Sequence, residues 1–195
     1  NFPFCKTPCL FCHYTNNIKF DYNNIPDDYF QKLCDQLEEI LKKINNIKLK
    51  SIYLGGGTPS LLTDAQIFRL QQLFKKYNVT ALEISIEIHP KICNFDYENN
   101  HFFTRYSIGI QTLETKEAKK YNRLISDYLE LIEMIRKIKK SKYPKILNLD
   151  FIFNKKISIK NIDFVNYINP DTVTFYPNTK GRGVIRLRNV IEELK

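Results

Sequence analysis

The sequence predicts an α/β fold in which parallel strands and helices take turns and the sheet curls into part of a barrel. Two observations carry this expectation. Stretches with a two-residue apolar rhythm alternate with stretches of helical rhythm along the chain, which is the pattern of repeated βα units with right-handed crossovers. The strands also carry polar residues on one face: Glu83, Ser85 and Glu87, then Arg105, Ser107, Gly109 and Gln111, then Asn148, Asp150 and Asn154. A flat sheet covered by helices on both sides shows near-continuous apolar strands instead. A curved sheet with helices outside and a polar lumen inside satisfies both patterns.

The elements follow in order. Residues 26–44 read as a helix: Pro26 suits a first turn, Asp27 and Asp28 suit its positive end, and Phe30, Leu33, Leu37, Ile40, Leu41 and Ile44 share a face. Residues 50–55 form a short strand ending in glycines. Thr63 and Gln66 make a capping box that opens a second helix carrying Ile67, Leu70, Leu73 and Phe74. Residues 82–89 alternate strictly, placing Leu82, Ile84, Ile86 and Ile88 against the outer helices. The alternation returns at 105–111 and 147–154, with helical stretches near 114–140 and 158–168. A further strand, Thr172 to Tyr176, and a last helix near 184–194 complete the series.

With 195 residues and 43% hydrophobic content, the chain can bury one good core, so 1–195 is expected to be a single domain. No run of eighteen apolar residues occurs, so no membrane span is expected. The net charge of +9 raises nucleic acid or an anionic surface as partners. Its lysines, among them Lys42, Lys43, Lys75, Lys76, Lys119 and Lys120, instead spread over helix faces as solvated charges, so neither partner is expected. An odd total of five cysteines without a secretory segment points to a reducing, cytoplasmic compartment.

Cys5, Cys9 and Cys12 stand with three residues in the first gap and two in the second. Thiolates are soft ligands that suit iron–sulfur clusters, and a four-iron cubane held by three cysteines leaves one iron for a small molecule. The competing zinc site would need adjacent residues, Cys12 and His13, to reach one tetrahedral ion, and zinc spacings more often come as two separated pairs. Cys34 and Cys93 read as small buried apolar residues. Barrels of this kind place reactive groups at the carboxyl ends of strands, where Glu87, Gln111 and Asp150 lie. Glu83, Arg105 and Asn148, deeper along their strands, are expected to pair with one another.

The cysteine triplet is followed by Y-L-G-G-G-T-P-S-L (53–61), S-I-E-I-H-P (85–90), R-Y-S-I-G-I-Q (105–111), N-R (122–123) and L-N-L-D-F-I (147–152). In this order and spacing the chain resembles the radical SAM superfamily, and within it the oxygen-independent coproporphyrinogen III dehydrogenase group. The fold so implied is a partial (β/α)6 TIM-like barrel of the radical SAM type.

The resemblance implies a [4Fe-4S] cluster on Cys5, Cys9 and Cys12 that chelates S-adenosylmethionine. Reductive cleavage of that cofactor gives a 5′-deoxyadenosyl radical, which takes a hydrogen atom from a small-molecule substrate. An electron donor such as flavodoxin or ferredoxin is implied with it. Gly55, Gly56 and Gly57, followed by Thr58, would let backbone groups approach the methionyl ammonium. Arg123 and Gln111 would meet the methionyl carboxylate. Glu87 and Asp150 would hold ribose hydroxyls, and Phe11 and Ile152 would pack the adenine. Plainer readings stand beside these: a surface helix residue for Arg123, lumen ion pairs for the two carboxylates, and core packing for Phe11 and Ile152.

The family's Tyr and His ahead of P-F-C are not matched, because Asn1 stands in the His position, so the first strand is expected to be truncated and the chain to be a fragment. The group's fourth nearby cysteine and its G-L-P motif are also not matched; His13-Tyr14 and Asn154-Lys155-Lys156 stand in their places. These departures leave the substrate open, porphyrin-related or other. A carrier of haem or another cofactor on the same scaffold is the alternative to an enzyme, and no catalytic side chain is assigned.

Overall fold

The computed structural model describes residues 1–178 apart from positions 45, 144 and 155, so the helix expected near 184–194 lies outside the described residues. Five parallel strands, β1 (Lys48–Leu54), β2 (Thr80–Ile88), β3 (Arg105–Gln111), β4 (Ile146–Phe153) and β5 (Thr172–Pro177), lie side by side in chain order. They curl into a half-barrel. Phe2 adds one parallel bridge to Gly56 beside β1, where the truncated first strand was expected.

Helices α1 (Asp27–Lys43), α2 (Asp64–Lys76), α4 (Tyr128–Lys140) and α5 (Ile159–Ile168) occupy the connections. Helix α1 has Asp27 and Asp28 in its first turn and Lys42 and Lys43 in its last, the arrangement that complements the helix dipole. Its buried stripe is Phe30, Cys34 and Leu41, with Leu33 and Leu37 packed beside it. Ile40 and Ile44, expected on that face, are exposed; Ile44 is the C-cap residue, past the last helical turn. The capping box of α2 forms as expected: Gln66 N–H donates to Thr63 Oγ1 at 3.3 Å and Thr63 N–H donates to Gln66 Oε1 at 3.2 Å. The buried Gln66 amide then donates to the Ile25 carbonyl and to Asp27, both at 2.9 Å, tying α2 to the start of α1.

Other expectations are corrected as well. The helical stretch near 114–140 is two helices, α3 (Thr115–Lys120) and α4, separated at residues 121–127. Asn122 turns the chain with φ of 50°, a left-handed conformation that asparagine tolerates better than most residues, and Asp127 restarts it through a capping box with Glu130. Leu82 does not pack under the helices but is 85% exposed, whereas Ile86 and Ile88 on the same face are buried. Burial rises along β2 from its first residues to its last, so the apolar cover lies over the carboxyl half of the strand.

The lumen's deep polar layer is internally satisfied. Arg105 lies 3.8 Å from Glu83 and donates to Thr172 Oγ1 at 2.9 Å, and Ser85 donates to Glu83 at 2.6 Å. Asn148 accepts from Thr172 at 2.7 Å and Thr174 at 3.3 Å, and donates to Ser107 Oγ at 2.8 Å. Glu83, Arg105 and Asn148 thus take part in structural pairing. Asn154 leaves the lumen pattern, standing just past β4 and donating to Tyr121 and Glu117. Among the described residues no helix is long and apolar enough to cross a membrane.

Candidate functional site

The amino-terminal segment is pinned across the carboxyl ends of the strands by backbone hydrogen bonds. Phe2 N–H donates to the Gly55 carbonyl at 3.0 Å and Gly57 N–H donates to the Phe2 carbonyl at 2.7 Å, while Cys5 and Lys19 are joined at 2.9 Å. The buried Phe4 ring is clasped edge-on by Tyr22 and Tyr29, with centroids 4.8 and 4.9 Å away. Further on, Leu10 N–H donates to the Tyr121 carbonyl at 2.8 Å and Asn122 Nδ2 donates to the Pro8 carbonyl at 2.9 Å. The break between α3 and α4 therefore holds the middle of the cysteine segment.

Two glycines have steric reasons that the motif alone does not disclose. Gly56 has φ of +129°, a conformation that side-chain-bearing residues rarely adopt, and a Cβ there would meet Phe2 N at 2.8 Å. A Cβ on Gly57 would lie 2.5 Å from the Phe4 carbonyl oxygen and 3.0 Å from Cys5 Sγ. Bare backbone at these positions lets the cysteine segment lie directly on the strand end. Thr58 completes the contact, its hydroxyl donating to Cys5 Sγ at 3.2 Å.

A cavity of about 330 Å³ opens at this junction. Its lining includes Cys5, Cys9, Cys12 and Phe11 from the amino-terminal segment, and Gly56, Gly57, Thr58, Glu87, Gln111, Arg123 and Asp150 from the strand ends and the connections that follow them. Of the residues expected at the site, Gly55 and Ile152 fall outside this lining. Ile152 is buried in β4, one position short of the strand's last residue. Among the described residues no three His, Cys, Asp or Glu groups converge on a point that one metal ion could occupy; the three sulfurs share a cavity wall.

Arg123 lies against those sulfurs. The residue is partly buried, its Nη1 lies 3.8 Å from Cys9 Sγ, and its Nη2 donates to the Gly109 carbonyl. Its Nε has no hydrogen-bond partner. Burial pulls its pKa down, while the Cys9, Cys5 and Cys12 sulfurs oppose that shift. A buried, unpaired donor on a cation costs on the order of 1–3 kcal/mol unless a ligand satisfies it. Gln111 comes to the same place: a Cβ on Gly109 would lie 2.8 Å from Gln111 Nε2 and 3.4 Å from Arg123 Nη2. Gln111 itself has φ of 71°, beside an irregular register between β3 and β4, a strained backbone of the kind that gathers at functional sites.

The two carboxylates are held differently. Asp150 accepts from Ser107 Oγ at 2.6 Å and Asn148 Nδ2 at 2.7 Å. Glu87 accepts from Tyr53 Oη at 2.7 Å and Gly56 N at 3.2 Å. Burial raises the Glu87 pKa, the two donors lower it, and the charge of Asp150 adds to the rise.

Sequence reasoning missed His89, Tyr53 and Tyr176. His89, 8% exposed, also lines the cavity, and its pKa is depressed well below 6.5 by burial and then by the charge of Arg123. Its Nδ1 accepts from Lys91 N at 3.1 Å, which leaves Nε2 as the protonated nitrogen. The signal was present in the His that ends the strand pattern of 82–89. Tyr53 and Tyr176 read as ordinary strand aromatics, and only the sheet's curl brings them towards the carboxylates.

A half-barrel with a cysteine triplet laid over its carboxyl mouth, beside Arg123, defines the class as an α/β barrel protein with its site at the strand ends. The chain belongs to the radical SAM superfamily, whose family model matches residues 2–156, a family whose membership implies an iron–sulfur cluster and S-adenosylmethionine. It is 31% identical over 193 residues to the heme chaperone HemW of Buchnera aphidicola subsp. Acyrthosiphon pisum, covering 91% of this chain and 50% of that relative. It is 31% identical over 127 residues to the oxygen-independent coproporphyrinogen III oxidase of Escherichia coli, covering 62% of this chain and 27% of that protein. The solved structure of coproporphyrinogen III oxidase (HemN) from Escherichia coli superposes with a TM-score of 0.75 at 24% identity, over 91% of this chain and 42% of that one. The chain thus spans half or less of the length of these relatives.

Proposed function

We propose that Cys5, Cys9 and Cys12 hold a [4Fe-4S] cluster and that the adjoining cavity takes S-adenosylmethionine, which the protein uses to start radical chemistry on a small molecule. When bound, this pair of cofactors supplies reductive cleavage of the sulfonium, given one electron from a donor such as flavodoxin or ferredoxin. The residues present fit the group. Three free thiols face one cavity, and soft sulfur donors are what such a cluster requires.

The observation that carries the reading is Arg123, whose Nε is buried and without a partner beside Cys9. A ligand carboxylate satisfies that donor through a two-point fork, and Gln111 adds an amide next to it. Glu87 and Asp150 each keep lone pairs beyond the donors that fix them, and these suit ribose hydroxyls. Phe11, set edge-on to Tyr121 with centroids 5.7 Å apart, would pack the adenine, while backbone groups at Gly56 and Gly57 would meet the ammonium.

The test is anaerobic reconstitution with iron and sulfide, then addition of dithionite and S-adenosylmethionine. Release of 5′-deoxyadenosine above a Cys9→Ala control is expected, and none above it overturns the enzymatic reading. A second reading, transport of haem or another cofactor on the same scaffold, is favoured by the likeness to the heme chaperone HemW across 91% of the chain. Stoichiometric haem binding in a visible titration, with no deoxyadenosine formed, would select it.

A further inference from the structure

Tyr53 stands on the lumenal face of β1, opposite Ser85 in the register of β2. Its side chain does not serve the core, since the residue is 57% exposed. Its hydroxyl donates to Glu87 Oε1 at 2.7 Å while Gly56 N donates to Oε2 at 3.2 Å. Residues 53–56 therefore fix both oxygens of Glu87, one donor to each. Each oxygen retains a further lone pair, and Glu87 lines the cavity.

The same arrangement explains the glycine that does not line the cavity. A Cβ on Gly55 would lie 2.6 Å from Tyr53 Cε1 and 3.3 Å from Glu87 Oε1. The tyrosine ring lies across the bare backbone of Gly55, and any side chain there would push it off Glu87.

Resting on the cofactor reading above, we propose that Tyr53 is a positioning residue: it holds Glu87 in the orientation whose remaining lone pairs accept the ribose hydroxyls of the bound nucleoside, and Gly55 acts through Tyr53 by leaving its ring room. A free glutamate side chain would have to be ordered when the ligand arrives, and that ordering lowers affinity. Tyr53 and Gly56 impose the order beforehand.

The experiment is calorimetric titration of the anaerobically reconstituted full chain with S-adenosylhomocysteine and with its 2′,3′-dideoxyribosyl analogue. Tyr53→Phe is expected to weaken S-adenosylhomocysteine by about fivefold, the scale of one hydrogen bond, and to leave the dideoxy analogue unchanged. Gly55→Ala should show the same selective loss, and little further loss when combined with Tyr53→Phe, because both act on one bond. An equal loss for the two ligands, or none for either, overturns the proposal. A wild-type chain that binds neither ligand instead removes the cofactor reading, and this proposal with it.

Discussion

The guanidinium of Arg123 lies 3.8 Å from the sulfur of Cys9. Because Arg123 also donates to the Gly109 carbonyl, one side chain joins the cysteine segment to the end of β3 and still has a donor to spare. Arg123→Ala is expected to weaken S-adenosylhomocysteine binding by about 2 kcal/mol, or about 30-fold. Arg123→Lys should restore only part of that, since an ammonium keeps the charge and loses the fork. Calorimetry on reconstituted protein measures both, and an unchanged affinity in Arg123→Ala removes the carboxylate role.

Gly57→Ala tests whether the glycines serve the cysteines. The added Cβ would lie 2.5 Å from the Phe4 carbonyl oxygen and 3.0 Å from Cys5 Sγ, and neither neighbour is the free end of a flexible chain. Iron content after reconstitution should fall well below that of the wild type, while circular dichroism keeps its helical signal. Full iron loading in this variant would show that the cysteine segment does not depend on close approach at Gly57.

The lumen's buried polar layer is expected to be worth more than its size suggests. Asn148 makes hydrogen bonds to Ser107, Asp150, Thr172 and Thr174, so Asn148→Ala leaves several partners unsatisfied in one step. A loss of about 2–3 kcal/mol in urea unfolding is expected. A loss within about 0.5 kcal/mol, the usual range for surface substitutions, would mean water replaces the amide without cost.

Much of this architecture was legible because its signals are local and periodic. The strict alternation of residues 82–88 located β2, and Thr63 with Gln66 fixed the start of α2. The break before α4 was legible too, in Asp127-x-x-Glu130 after Asn122, but the apolar rhythm of the stretch masked it. Leu82 was misplaced because alternation gives the face of a strand and not how far the covering layer extends along it. In the site, the cysteines and Arg123 are marked by residue chemistry. Tyr53 owes its role to Glu87, 34 residues away, which no local pattern encodes, whereas His89 stood at the end of the 82–89 alternation and only its burial depended on packing.

His89 gives a pH dependence with a definite sign. Its folded-state pKa is lowered below 6.5 by burial and by Arg123, so the folded protein binds its proton less readily than the unfolded chain. Its contribution to stability is therefore full above about 6.5 and is lost as pH falls towards the lowered folded value. The stability difference between wild type and His89→Gln, taken by urea unfolding at successive pH values, should turn against the wild type on acidification. A difference that stays flat from neutral pH down to roughly 5 would contradict the buried neutral imidazole.

The proposed function requires that the three sulfurs beside Arg123 carry an iron–sulfur cluster open to a ligand. The measurement that addresses it most directly is electron paramagnetic resonance of anaerobically reconstituted, dithionite-reduced protein, recorded before and after S-adenosylmethionine is added. A reduced-cluster signal is expected whose shape changes with the ligand and which is absent when Cys5, Cys9 and Cys12 are all replaced by serine. A silent, colourless protein with zinc as its only metal, or a cluster signal that survives the triple replacement, would contradict the claim.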